Sequence, residues 1–329
     1  MKVITCVGYH QTGSGAVDSF FKEFDNCSSA PTEYECRFLQ DPDGISDLEY
    51  NLIDNPHRLN TGYALKRYLR FVKKHKRTYR KLFGRDWFTY SEEYINNLIT
   101  ETYKGYWHED IQLIRLDQKI IYLGRRVINK LLPKFLKKSN YYNYFPNIMF
   151  YHSHITEEKF LEITREYCNK LFKSLNKKNK EFVVLDQLVP TSNTERYIRY
   201  VDNLKVIMVD RDPRDLYINE MEKKSHVLPK DVEVFVKIYD DIRKISIKDK
   251  KVDNVLQISY EDLLYKYDEV TKNIIEFVGE NEKSHTNKKK LLNPITGVKY
   301  TRMWEQNKKY EKEIKYIEEK LSKYLHNYK

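Results

Sequence analysis

The sequence predicts an α/β fold: a doubly wound parallel sheet of about four to five strands, with a helical insertion. Three observations support this fold class. Short apolar runs alternate with stretches of helical periodicity, a glycine-bearing turn joins the first run to the first helix, and an Arg-Asp-Pro turn follows the third run. Hydrophobic residues make up 40% of the 329 positions, which suffices for a substantial core.

Four apolar runs are predicted to form the strands, at residues 3–7, 182–185, 204–209 and 255–258. Each run is short and continuously apolar, as is typical of parallel strands that are covered on both faces. The carboxyl ends of such strands meet at one edge of the sheet, where ligands of this fold class bind.

Apolar residues at three- and four-residue spacing predict the helices. The first helix carries Val17, Phe20, Phe21 and Phe24. Three further helices are predicted at residues 160–171, 232–242 and 263–278, with Gly279 ending the last of them, and a terminal helix covers residues 310–324.

Residues 45–146 do not follow this alternation and are interpreted as a basic, mainly helical insertion in a single domain of residues 1–329. Residues 55–85 contain eleven Lys or Arg and no acidic residue, with aromatic residues interleaved. One interpretation is a solvated basic helix whose aromatic side chains pack inward. Another is a surface for an acidic saccharide or for weak contact with an anionic membrane, to which the basic, amphipathic residues 125–138 would contribute. Nucleic acid is not expected, because no binding motif for it is present.

The formal net charge of +11 favours anionic partners without choosing among them. The four cysteines have no paired spacing, and the first apolar run is too short for a signal peptide or a membrane span. We therefore expect a cytoplasmic protein, with the inner face of the membrane as a site of peripheral contact.

The turn at residues 8–15, here called the glycine loop, is the first candidate site. Gly8, Gly13 and Gly15 allow tight backbone turns that aim N–H groups at an anion, and Thr12 and Ser14 add hydroxyl donors. The alternative is an ordinary turn with a helix cap. A Walker A loop would need Lys at position 14 and Ser or Thr at position 15, so a magnesium-nucleotide site is disfavoured and no metal is predicted.

A second anchor follows the strand at 204–209. Asp212 is expected to cap a helix that begins at Pro213, which leaves Arg211 at the carboxyl end of the strand. A guanidinium there can bind a phosphate with two hydrogen bonds. The alternative is a surface arginine paired with Asp215.

Together, the segments HQTGSGAV and RDPRDLYIN resemble the two nucleotide-binding signatures of the sulfotransferase family. The resemblance implies a P-loop-like turn that binds the donor 3′-phosphoadenosine 5′-phosphosulfate (PAPS). Thr12, Gly13 and Ser14 would then hold the 5′-phosphate, and Arg211 and Asn219 the 3′-phosphate. The residues Tyr260, Lys299 and Arg302 match the family's adenine-side tyrosine and its basic cofactor-covering loop.

Two positions depart from the family pattern. Gln11 stands where a lysine often contacts the transferring group, and Asn219 replaces a serine. Loss of the lysine removes positive charge from the leaving group unless another residue, such as His10, substitutes for it.

The segment at residues 31–39 resembles the Glu-x-His-Phe-Phe element of glycan sulfotransferases. By this resemblance Glu35 is the catalytic base and Arg37 replaces the histidine, with Glu33 in reserve. The alternative is a pair of exposed carboxylates.

The expected function is therefore PAPS-dependent transfer of a sulfuryl group to a hydroxyl or amine of a carbohydrate, such as a cell-surface glycan precursor. Two alternatives stay open: a P-loop kinase of a sugar or nucleoside, and a non-catalytic relative that binds a nucleotide or glycan.

Overall fold

Parallel strands form the central sheet in a computed structural model that describes residues 1–31, 34–114, 116–133, 148–223, 227–247 and 252–328. The strands of the described chain are β1 (Lys2–Gly8), β2 (Cys27–Ser29), β3 (Glu101–Lys104), β4 (Met149–His152), β5 (Phe182–Asp186), β6 (Leu204–Asp210) and β7 (Val255–Ser259). The central sheet has five of them in the order β2-β5-β1-β6-β7, and every neighbouring pair is parallel. The predicted fold class is confirmed.

Helices occupy most of the remaining described chain. They are α1 (Ser14–Phe21), α2 (Ile45–Glu49), α3 (Arg58–Lys74), α4 (Lys76–Phe83), α5 (Asp86–Leu98), α6 (Leu116–Leu131), α7 (Glu157–Leu175), α8 (Thr194–Ile198), α9 (Pro213–Lys223), α10 (Val232–Ile247), α11 (Tyr260–Tyr265), α12 (Tyr267–Val278), α13 (Pro294–Gly297), α14 (Met303–Gln306) and α15 (Glu311–Lys320).

The four predicted strands are confirmed as β1, β5, β6 and β7, while β2 was not predicted because it is only three residues long and largely polar. The chain leaves β1 towards β2 on one side of the sheet and passes from β6 to β7 on the other. The direction of winding therefore reverses beside β1. In doubly wound folds this reversal opens a crevice at the carboxyl ends of the strands.

The predicted apolar face of α1 packs into the core of the sheet. Phe20 and Phe21 are fully buried against β1, β5 and β6, and α12 contributes Ile274 to the same core. A second core joins α9, α10 and α15. These two cores fix α1 and α9, which are the helices that follow the two predicted anchors.

The predicted helix at 263–278 is broken in the structure. Its backbone leaves the helical region at Lys266, which separates α11 from α12. Gly279 ends α12 with a φ of 67°, as predicted. The terminal helix ends at Lys320, earlier than predicted, and a short 3-10 turn follows it.

The chain divides into two compact units. The first comprises Met1–Arg37 and Phe172–Lys329, and the second is Phe38–Leu171. The second unit is mainly helical, and it also contains an antiparallel pair of strands, β3 and β4, that was not predicted. The single-domain description of residues 1–329 stays a prediction.

Aromatic side chains form the core of the second unit. Tyr68, Phe71, Tyr79 and Phe83 are buried, and the Tyr79 ring stacks on Trp87 with 4.2 Å between centroids. Most of the Lys and Arg side chains of α3 and α4 are exposed. This arrangement matches the interpretation of a solvated basic face whose aromatic residues pack inward.

Candidate functional site

The glycine loop is held in a fixed shape between β1 and α1. His10 and Gln11 have positive φ values of 83° and 52°, a conformation that side chains other than glycine rarely adopt. The Thr12 hydroxyl accepts a hydrogen bond from the Tyr9 N–H at 3.0 Å and donates one to the Val209 carbonyl at 2.7 Å. Thr12 therefore ties the loop to β6, and its side chain serves the loop's architecture.

Two of the three glycines in the loop are required by close contacts. A Cβ on Gly8 would lie 2.3 Å from the Thr12 hydroxyl oxygen, and one on Gly13 would lie 2.4 Å from the Tyr260 ring. Gly13 also has a φ of 110° immediately before α1. A Cβ on Gly15, by contrast, would meet no atom within 4 Å. The backbone at Gly15 is thus open to close approach by a ligand at the start of α1.

Ser14 opens α1 and is hydrogen-bonded to residues at the end of β5. The Gln187 amide donates to the Ser14 hydroxyl oxygen at 3.0 Å, and the Asp186 carboxyl forms a side-chain hydrogen bond with Ser14. Burial, together with the nearby carboxylates of Asp18 and Glu35, raises the pKa of Asp186 to about 7. The Asp186 Oδ1 atom is buried without a hydrogen-bond partner among the described residues.

Asp186 was missed from the sequence, although one signal was available. It directly follows the apolar run at 182–185, so it lies at the same sheet edge as the glycine loop. A carboxyl group that titrates near neutral pH beside a candidate phosphate site is a functional candidate on physical grounds.

Arg211 lies at the carboxyl end of β6 with only 6% of its surface exposed. Its Nη1 donates to the Gln11 carbonyl at 3.2 Å, and its Nη2 donates to the Tyr300 carbonyl at 2.5 Å. The guanidinium lies 5.3 Å from the centre of the Tyr260 ring. Its Nε is buried without a partner among the described residues. The two predicted anchors, the glycine loop and Arg211, are therefore in direct contact.

Asp212 caps α9 as predicted. Its carboxylate accepts the Arg214 backbone N–H at 2.9 Å and also pairs with the Arg214 guanidinium at 2.7 Å. Asp215 does not form a salt bridge with Arg211, which was the alternative interpretation. Its two carboxylate oxygens accept the backbone N–H groups of Arg302 and Met303, at 2.9 and 2.7 Å.

Asp215 therefore fixes the stretch around residues 300–303 beside Arg211. The individual basic side chains of this stretch are directed elsewhere: Arg302 pairs with Glu305 at 2.7 Å, and the Lys299 ammonium lies 4.9 Å from the centre of the Tyr300 ring. Their predicted role in cofactor binding stays a prediction. The closest contact of this stretch with the anchor is through a backbone carbonyl, that of Tyr300.

Gln11 and Asn219 meet at the centre of the site. The Asn219 amide donates to the Gln11 side-chain oxygen, and the Gln11 amide donates to a carboxylate oxygen of Glu220 at 3.3 Å. Glu220 is fully buried on α9. Gln11, at the position where the family that the sequence resembles often has a lysine, is therefore a neutral side chain beside the buried carboxylate of Glu220.

His10 lies within the glycine loop, and the Glu35 carboxylate is close enough to influence its pKa. Burial lowers the pKa of His10, against the opposing influence of Glu220 and Glu35, so its imidazole is neutral at pH 7. A neutral imidazole can accept a proton, and the substitution of His10 for the absent lysine stays a prediction.

Glu35 has a side chain that is 53% exposed and pairs with Arg37 at 3.3 Å. The backbone N–H of Cys36, the next residue, donates to the Asp186 carbonyl at 2.8 Å. Glu35 is thereby held near Asp186 and the glycine loop. Glu33 lies outside the described residues.

The described residues include neither a cluster of metal ligands nor a helix that could span a membrane. No group of three or more His, Cys, Asp or Glu side chains among those residues is arranged to hold a metal ion. Within the part of the chain that the structure describes, no helix combines the length and apolar character needed to cross a membrane.

Solved structures with a similar fold were found at low sequence identity. The chain is similar to the sulfotransferase domain from the Synechococcus PCC 7002 olefin synthase, with 13% identity and a TM-score of 0.40, over 92% of this chain and 87% of that one. It is also similar to retinol dehydratase in complex with androsterone and the inactive cofactor PAP, with 13% identity and a TM-score of 0.34, over 100% of this chain and 83% of that one. No family model and no curated protein matches the chain. Both similarities concern the fold.

Proposed function

We propose that the chain binds a nucleotide that carries phosphates at its 5′ and 3′ positions, and that it is a PAPS-dependent sulfotransferase acting on a hydroxyl or amine of a carbohydrate. The observation that carries the proposal is the contact between the glycine loop and the buried Arg211. The two candidate anion-binding elements, 200 residues apart in sequence, meet at the crevice edge of the sheet, which supports a ligand with two phosphates.

The donor side of the site is built from backbone and from one cation. The N-terminus of α1, with the open backbone at Gly15, suits the 5′-phosphate, because helix N–H groups and the helix dipole favour an anion. Arg211 suits the 3′-phosphate, since its buried Nε–H lacks a partner among the described residues. Tyr260, packed on both Gly13 and Arg211, offers an aromatic face for a base.

When bound, PAPS supplies an activated sulfuryl group. On the acceptor side, Glu35 is our candidate for the group that takes the proton of the attacking hydroxyl or amine, and the neutral His10 is the second candidate. The net charge of +11 supports an acidic carbohydrate as the acceptor.

Gln11 and Glu220 favour one other function. A neutral side chain and a buried carboxylate where the resembled family has a lysine weaken electrostatic stabilisation of a leaving group. This pairing supports a non-catalytic protein that binds the nucleotide without turnover. A magnesium-dependent kinase has no comparable support.

Calorimetric titration with adenosine 3′,5′-bisphosphate, compared with ATP and Mg²⁺, tests the proposal. We expect the bisphosphate to bind and the Arg211→Ala change to weaken binding by about 1.5–3 kcal/mol, the range for a hydrogen bond to a charged group. Arg196→Ala is the matched control, because this arginine of α8 contacts Tyr200 and its loss should leave the affinity unchanged. Binding of ATP with Mg²⁺ but not of the bisphosphate would refute the proposal.

The Glu35→Gln variant separates the enzyme from the binder. For an enzyme, bisphosphate affinity should persist while PAPS-dependent labelling of an oligosaccharide acceptor is lost. If Glu33→Gln abolishes labelling and Glu35→Gln does not, the base has been misassigned. Bisphosphate binding without labelling by the unmodified chain, over a panel of neutral and acidic oligosaccharides, would favour the binder.

A further inference from the structure

Helix α6 has an apolar face that no described residue covers. Every large aliphatic side chain of α6 is more than half exposed, with exposed fractions from 51% to 80%, and none of the described residues of the helix is buried. Five of them form one row, here called the apolar stripe: Leu116, Ile120, Leu123, Val127 and Leu131. Their spacing of three and four residues places them on one side of the helix.

Cations border the apolar stripe. Lys119, Arg126 and Lys130 each lie one position or one turn from a stripe residue, whereas Asp117 is the only acidic residue between Leu116 and Leu131. Soluble proteins rarely expose an apolar row of this size without a partner. An apolar stripe flanked by Lys and Arg is typical of helices that lie in the plane of a membrane surface.

The basic surface extends beyond α6 within the second unit. Lys119 and Arg70 of α3 both donate to the Gln112 carbonyl, at 3.4 and 3.3 Å. The start of α6 is therefore adjacent to the face of α3 that belongs to the basic stretch of residues 55–85. Positive charge thus continues from the border of the apolar stripe onto the neighbouring helix.

We propose that α6 binds the surface of an anionic lipid membrane, with the apolar stripe among the acyl chains and the bordering cations at the headgroups. An anionic membrane is favoured over a second copy of the chain, because pairing two apolar stripes would bring two rows of cations together and these would repel each other. The helix is about 24 Å long at 1.5 Å per residue, so it lies along the bilayer surface and does not span it.

Flotation of the full chain with vesicles tests the proposal. We expect binding to phosphatidylcholine vesicles that contain about 30% phosphatidylserine, weak binding to pure phosphatidylcholine, and a decrease with added salt. Changing both Ile120 and Val127 to Gln should lower the binding constant about tenfold or more, since two apolar side chains no longer enter the membrane. Each of Lys119→Gln and Lys130→Gln should lower it about fivefold, which corresponds to about 1 kcal/mol per charge near an anionic surface.

The matched control changes Val227 and Leu291 to Gln, because both residues are 58% exposed and they lie far apart in the sequence, outside α6. Its vesicle binding should equal that of the unmodified chain. Failure of the unmodified chain to bind anionic vesicles would overturn the proposal, as would equal losses in the two double variants. A dimer in light scattering that the α6 variant abolishes would assign the stripe to a second copy instead. The vesicle assay does not involve the nucleotide site, so it tests the membrane proposal whether or not the bisphosphate binds.

Discussion

Single residues in the glycine loop have roles that their type alone does not define. The sequence predicts that Thr12 offers its hydroxyl to a ligand, but the structure engages that hydroxyl with Val209, 197 positions away. The glycines could be assigned to a tight turn from the sequence, whereas the contact of Gly13 with Tyr260 depends on how β7 and α11 are placed. Residue identity therefore predicted the kind of site, and long-range packing decided which atoms are available.

Gly13 and Gly15 form a matched pair for testing the loop. Gly13→Ala should destabilise the fold by about 1–3 kcal/mol, because of the contact with Tyr260 and the positive φ. Gly15→Ala meets no atom and should leave stability unchanged or raise it by up to about 1 kcal/mol, since alanine favours the helix. Urea unfolding measures both. If Gly15→Ala retains stability yet loses bisphosphate affinity, the open backbone at Gly15 is where the ligand approaches.

The raised pKa of the Asp186 carboxyl predicts how the free energy of unfolding depends on pH. Because burial raises its pKa in the folded chain to about 7, its contribution to stability is complete below about pH 4 and is lost as pH rises through 7. Asp186→Asn cannot ionise, so above pH 7 the variant should be more stable than the unmodified chain by on the order of a few kcal/mol. Below pH 4 this advantage should disappear.

Urea unfolding at several pH values measures the effect of Asp186→Asn. Asp253→Asn makes the same chemical change at an exposed turn and should follow the unmodified chain at every pH. A constant difference between Asp186→Asn and the unmodified chain from pH 4 to 8 would mean that Asp186 ionises normally.

At the scale of elements, the apolar pattern predicted β1, β5, β6 and β7 of the central sheet and missed β2, β3 and β4. β1, β5 and β6 are continuous apolar runs because both of their faces are covered. The residues of β3 are all exposed and only Tyr103 among them is hydrophobic, so the strand has no continuous apolar run that would reveal its pairing with β4. The break at Lys266 was also invisible, since the apolar spacing continues from α11 into α12.

Glu23, just after α1, organises the segment that follows α12. Its buried carboxylate accepts hydrogen bonds from the His285 ring and from the backbone N–H groups of Lys289, Leu291 and Leu292, at 2.6 to 3.0 Å. Glu23→Ala should cost about 3–5 kcal/mol in unfolding free energy, because several buried donors would lose their acceptor. Glu276→Ala, at an exposed site on α12, should cost less than about 0.5 kcal/mol. A small loss for Glu23→Ala would indicate that water replaces the carboxylate.

For the whole molecule, the net charge of +11 bears on how fast an anionic ligand arrives. Electrostatic attraction accelerates encounter and is screened within about 8–10 Å at moderate salt. We expect the association rate constant of the bisphosphate to fall severalfold between about 20 and 200 mM salt, with a smaller change in its dissociation rate. Stopped-flow fluorescence measures both rates. A salt effect confined to dissociation would attribute the charge dependence to contacts within the site.

The contact between Gln11 and Glu220 has a consequence for engineering the site. Installing a lysine by Gln11→Lys would set its ammonium beside a buried carboxylate that the Gln11 amide now contacts. The new cation would be neutralised by its neighbour, so one substitution should not supply a positive charge to the donor. A gain requires two changes, Gln11→Lys with Glu220→Gln, and neither should suffice alone. The glycine loop and α9 are thus electrostatically coupled, and the effects of changes at positions 11 and 220 on the site should be strongly non-additive.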